Sequence, residues 1–149
     1  MADGEDGVTG DVIAEGEWAG WRVCAFRDSF ERLIGPFHVK REDGGGVVCA
    51  FRAEPRHMNG GGSMHGGCIM SLADTSLFVI GHDAMNGQSG VTVSFTGDFV
   101  GPVRIGDLVE ARGEVVRDGG SLMFVRGLVT ASGRPALNFS GVVKKLRSR

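Results

Sequence analysis

The feature that most constrains this chain is a helix with almost nowhere to show a polar face. Residues 66–81 carry Cys68, Ile69, Met70, Leu72, Ala73, Leu77, Phe78, Val79 and Ile80 within one helical segment. A helix that is apolar all round is stable in water only when other elements enclose it. The rest of the chain reads as strands that can do so. FHVKR and VVCAFRA flank EDGGG as a hairpin, and VTVSFTGDF, LVEARGEVVR, LMFVRGLVTA and ALNFSGVVKKL follow the helix. The breaks between the later strands, GPVRIGD, DGGS and SGRP, consist of turn residues. Two strands, one buried helix and four more strands predict an α+β domain, an antiparallel sheet wrapped around a single helix.

A length of 149 residues fits one domain with a real core. The 26 glycines follow no period, so they mark tight turns between short elements. Residues 1–12 read as a disordered acidic tail. Residues 13–35 read as an N-terminal segment with a short helix, where Asp28 and Ser29 are cap-type residues, Glu31 follows and Gly35-Pro36 ends the run. The domain proper is then 36–149.

Charge and cysteine usage exclude several classes of function. The formal net charge is −2, and no nucleic-acid recognition motif is present, so nucleic acid is not an expected partner. No apolar run reaches membrane-spanning length, because Asp74 interrupts the best one. The N-terminus lacks the basic and apolar stretches of a signal peptide. Cys24, Cys49 and Cys68 have no C-x-x-C or zinc spacing, which suits reduced thiols in a cytoplasmic protein. There is no H-E-x-x-H for a metal and no G-K-[ST] for a phosphate loop. The charge is unevenly spread, with eight bases against two acids from Arg112 onward. Arg134, Lys144 and Arg147 are the candidates there for a phosphorylated ligand.

Chemistry concentrates in HMNGGGSMHGGCIMSLAD, residues 57–74. A carboxylate inside an apolar helix is costly unless it is paired, neutralised or open to a cavity. No Lys or Arg lies on residues 57–91 to pair with Asp74, which makes it a functional acid. Gly66 and Gly67 stand where first-turn N–H groups lack internal partners and carry partial positive charge. Glycine lets a carbonyl oxygen approach them, as in an oxyanion hole. Gly66 and Asp74 are eight residues apart, roughly 12 Å along a helix at about 1.5 Å per residue, so one carbonyl cannot meet both. Two antiparallel copies of the helix about a two-fold axis can set Gly66 of one chain opposite Asp74 of the other. A homodimer with a shared site is the expectation.

The same stretch resembles the H-x-N-x-x-G-x-x-H-G-G-x-x-x-x-L-x-D pattern of hotdog-fold acyl-CoA thioesterases of the phenylacetate-pathway (PaaI-like) type. His57, Asn59, Gly62, His65, Gly66, Gly67, Leu72 and Asp74 fit it, and the likeness runs from about Pro36 to the C-terminus. It implies a hotdog fold, a curved antiparallel sheet around one long central helix, assembled as dimers and often as tetramers. It implies that the Gly66 N–H polarises the thioester carbonyl with help from Asn59, and that Asp74 of the partner attacks it or activates water. His65 then orients the thioester or the loop, Gly67 adjoins the bound substrate, and Thr92 helps hold the water. No metal or redox cofactor is implied, CoA being part of the substrate, and the acyl group is aromatic or of medium length. The rival reading is a hotdog module that binds acyl-CoA without hydrolysing it. A hotdog hydratase would carry a different histidine motif.

Overall fold

The computed structural model describes residues 10–24 and 28–147. Most of the acidic tail expected over residues 1–12 lies outside them, while Val12 forms an isolated bridge with Arg22. In chain order the elements are β1 (Arg22–Val23), α1 (Ser29–Ile34), β2 (His38–Arg41), β3 (Val47–Arg52), a 3-10 turn (Pro55–His57), α2 (Gly66–Ile80), α3 (His82–Met85), β4 (Gly90–Phe99), β5 (Leu108–Asp118), β6 (Leu122–Ala131) and β7 (Arg134–Lys145). The strands form one antiparallel sheet in the order β1-β2-β3-β5-β6-β7-β4. This is the hotdog arrangement, a curved sheet around one central helix. The six strands expected from sequence are present, and the two-residue β1 extends the sheet beyond β2. β7 starts earlier than the pattern suggested. Ser132 and Gly133 sit at φ +46° and +83°, a two-residue hairpin turn that draws Arg134 into the strand.

The helix packs against β3 to β7. Leu72, Ala73 and Leu77 are wholly inaccessible there, so truncating Leu77 to Ala costs roughly 2–5 kcal/mol. Gly141 on β7 makes that approach possible, because a Cβ on it would lie 2.4 Å from a Leu77 methyl carbon. Enclosure of the helix is nevertheless incomplete in the protomer. Gly67, Met70, Ser71, Asp74, Thr75 and Phe78, spaced three and four residues apart, form a stripe that keeps contact with solvent. The sheet covers one side of a cylinder, and α1 and the glycine loop shield only part of the other. The candidate site lies on that open stripe.

Candidate active site

The loop before α2 is organised by its own hydrogen bonds. Asn59 Oδ1 accepts from the Gly61 and Ser63 N–H groups at 2.8 and 3.2 Å. The His65 N–H donates to the His57 carbonyl at 2.9 Å, which closes the loop. His65 then caps the helix. Its Nδ1 accepts from the Gly67 N–H at 2.9 Å, and its carbonyl accepts from the Cys68 N–H at 2.9 Å. With those two donors taken, the Gly66 N–H has no acceptor among the described residues, at the positive end of the helix. A Cβ on Gly66 would lie 3.1 Å from the Phe99 ring, so only glycine leaves the donor open beside that ring.

Two turns further on, Asp74 is half-buried and its Oδ1 accepts from the Thr92 hydroxyl at 2.7 Å. The neighbouring serines turn inward instead. Ser71 and Ser76 donate to the Gly67 and Leu72 carbonyls of their own helix at 2.7 and 2.6 Å. Thr92 reaches Asp74 because of a β-bulge. Thr92 pairs with Val143 and Ser94 with Val142, which leaves Val93 as the extra residue. The bulge reverses the in-out alternation that Phe95 would impose, and Thr92 faces the helix rather than solvent. Cys68 is no rival nucleophile, since burial pushes its thiol up to about 11.

Asp74 opens into a cavity of about 430 Å³. Its walls include Glu31, Asp74, Thr75, Phe78, His82 and Met85. Residues of α1 thus close the cavity from above, and their placement depends on the motif loop. Arg56 donates to the Leu33 and Gly35 carbonyls at the end of α1. His57 accepts the Glu54 N–H at Nδ1 (3.0 Å), so the proton sits on Nε2 and is donated to the Ile34 carbonyl at 2.8 Å. With both ring nitrogens engaged, His57 holds α1 in place.

Sequence reasoning missed Glu31 as a wall residue. Asp28 does cap α1, its Oδ1 accepting from Phe30 and Glu31 N–H at 2.9 and 3.3 Å. The Glu31 side chain, which a helix-start pattern sends to the surface, is instead only 7% exposed. Of Trp18, Trp21, Phe30, Phe37, Met70 and Phe78, the side chains of a kind suited to an acyl pocket, only Phe78 lines this cavity, where Met85 joins it. Phe37 is core, Trp18 stacks on His38 at 3.9 Å and Trp21 packs edge-on to Trp18, while Phe30 and Met70 are exposed. None of the three candidate phosphate-binding bases lines the cavity. Arg134 is committed to Asp107 at 2.7 Å and to the Ala131 carbonyl, whereas Lys144 and Arg147 are exposed. Among the described residues no cluster of His, Cys, Asp and Glu draws together around a metal position, and no helix is long and apolar enough to cross a membrane.

A model of the thioesterase superfamily matches residues 61–136, half of the chain, from the glycine loop to the start of β7. PA0474 of Pseudomonas aeruginosa, which bears the name of an esterase, is 32% identical over 111 residues, 74% of this chain and 83% of that protein. Human acyl-coenzyme A thioesterase 13 is 27% identical over 64% of this chain and 69% of its own. The phenylacetic acid degradation protein PaaI of Thermus thermophilus superposes with a TM-score of 0.69 at 28% identity, over 80% of this chain and all of that one. The glycines before α2, the central helix and its acid fall within residues 61–136, and the chain belongs to the thioesterase superfamily, whose enzymes hydrolyse thioesters.

Proposed function

We propose that the protein hydrolyses acyl-CoA thioesters with aromatic or medium-chain acyl groups, at a site shared between two protomers. The observation that carries this reading is the division of labour along α2. His65 caps the helix so that, among the described residues, the Gly66 N–H stays free, while the acid that must complement it stands eight residues away with Thr92 alone of those residues as its hydrogen-bond partner. In a dimer with antiparallel helices, the thioester carbonyl accepts from Gly66 N–H of one protomer, and Asp74 of the other faces its carbon. Asp74 either attacks that carbon, forming an anhydride that water cleaves, or takes a proton from the attacking water. In both routes the C–S bond breaks and the thiolate leaves with a proton; the water oxygen ends in the free acid, or, where water opens the anhydride at the Asp74 carbonyl, in Asp74, whose own oxygen then leaves with the acid. Thr92 donates to the carboxylate and fixes its orientation.

The open stripe on α2, with Met70 and Phe78 on it, supports a partner helix lying against it. So does β4, which pairs only with β7 among the described residues and exposes Val91, Val93 and Phe99, with exposed Val100 just after it. Exposed Val116, Phe124 and Leu128 on the outer sheet support a further pairing into a homotetramer. Lys144 and Arg147, both free to reach solvent, are the bases for the CoA phosphates, with Arg134 already paired. Thiol release from an acyl-CoA panel tests the reading. Asp74→Ala should lower kcat by about 10³-fold and leave an intact dimer. Near-normal turnover would remove the mechanism, and tight acyl-CoA binding without thiol release by the wild type would leave a binding module.

A further inference from the structure

We propose that Glu31 is the specificity-determining residue of the acyl pocket, selecting acyl groups that carry an uncharged oxygen where they meet its carboxyl. The inference rests on the thioesterase reading of the cavity and concerns a side chain outside the motif. Glu31 is only 7% exposed, its Oε1 has no hydrogen-bond partner, and it lines the same cavity as Asp74. An unpartnered buried oxygen is costly, commonly by about 1–3 kcal/mol, and is tolerated where a ligand completes it. The rest of α1 gives Glu31 no other task. Asp28 already caps the helix, and Arg56 and His57 already hold the far end.

The surroundings state what the ligand group can be. Glu31 bonds with the Cys24 side chain, has Asp28 beside it on its own helix and Cys49 across from β3, and shares the cavity with Asp74 and His82. The Asp28 and Asp74 carboxyl groups, which line the same cavity, disfavour an anionic acyl end and so dicarboxylic acyl groups. A plain hydrocarbon would seal Glu31 away from water and leave Oε1 unpaired. Burial pushes the Glu31 carboxyl up to about 7, against the pull of Cys24, so near neutrality much of it carries a proton. In that form it both donates and accepts, and a hydroxyl or oxo oxygen satisfies it. Phe78 and Met85 cover the apolar part of the same acyl group.

The test compares straight-chain acyl-CoAs of about six to ten carbons with their terminally hydroxylated counterparts, a range suited to a pocket of this size. Wild type should prefer the hydroxylated member at one length by about 10-fold or more in kcat/KM. Glu31→Leu should abolish that preference, and Glu31→Gln, which keeps a donor and an acceptor, should retain it. The same pairs are titrated calorimetrically into Asp74→Ala, where the preference should persist in Kd without turnover. No preference by either readout overturns the inference, as does a Glu31→Leu variant that keeps the wild-type ratio or weakens both substrates equally. If Glu31→Leu does not fold, the wild-type and Glu31→Gln ratios decide. A binding preference without any thiol release would spare the role of Glu31 and sink the thioesterase reading instead.

Discussion

The first turn of α2 and its middle turn are built on opposite plans. At the first turn, donors are in surplus: His65 absorbs the Gly67 and Cys68 N–H groups and leaves that of Gly66 beside the Phe99 ring, with no carboxylate near it in the loop. At the middle turn an acceptor is in surplus, because Asp74 has two oxygens and, among the described residues, the Thr92 hydroxyl as hydrogen-bond donor. Each place holds what the other lacks. A single straight helix keeps them roughly 12 Å apart at about 1.5 Å per residue, so neither can serve the other within one protomer. On the proposed reading, the difference means that the protomer carries two half-sites rather than one site.

The most severe way to break this comparison is to disable each half in a different chain. Gly66→Val places a branched side chain where a Cβ already lies 3.1 Å from Phe99, and blocks the carbonyl from the free N–H. Alone, it and Asp74→Ala should each lose about 10³-fold in kcat. Co-refolded in equal amounts, they should recover about a quarter of wild-type activity, since random pairing gives half heterodimers with one intact site each. Absence of recovery, with mixed dimers shown by mass spectrometry, would mean that one protomer holds a complete site.

A smaller effect is expected at Thr92. Thr92→Val keeps the shape and removes one hydrogen bond to a carboxylate, worth about 1.5–3 kcal/mol. Activity should fall roughly 10- to 100-fold in kcat with KM little changed, and Thr92→Ser should recover most of it. An equal loss in Thr92→Ser would assign the residue to packing on β4 rather than to orientation of Asp74.

How much of this is legible in the sequence depends on whether the signal is periodic. The all-apolar helix and the turn-bounded strands are periodic over many residues, so the α+β wrap around α2 follows from pattern alone. The free Gly66 donor and the isolated Asp74 follow from helix-end chemistry and from the lack of nearby bases. Thr92 comes from the family resemblance alone and not from pattern, because the bulge at Val93 breaks the alternation, and counting back from Phe95 turns it outward. Glu31 does not follow from pattern either. Its position after Asp28 looks like any helix start, and only the tertiary clamp of Arg56 and His57 on the carbonyls of α1 turns it over the cavity. The closure of α2 is also misjudged by pattern, since an apolar helix in a protomer is indistinguishable from one whose last side awaits a partner.

The mildest consequence of the comparison lies in the pH dependence of stability, through the wall that α1 places over the Asp74 half-site. Burial raises the Glu31 carboxyl from 4.5 to about 7, so between those values the native state holds a proton that the unfolded chain has released. Its contribution is therefore complete below about pH 4.5 and is lost as pH rises through about 7, at about 1.4 kcal/mol per unit of difference before water in the cavity reduces it. His38 works in the opposite direction: burial lowers its pKa from the ordinary 6.5, so below that pH the unfolded chain binds the extra proton and stability rises with pH. Asp83, held low by Arg41, acts only at more acidic pH. The wild-type profile thus mixes opposing slopes, and the difference from Glu31→Gln isolates one. Urea midpoints measured from pH 5 to 8 should show wild type losing ground to Glu31→Gln as pH rises. A difference that stays flat across that range would mean the cavity hydrates Glu31 as bulk solvent does, and that α1 does not seal the wall above Asp74.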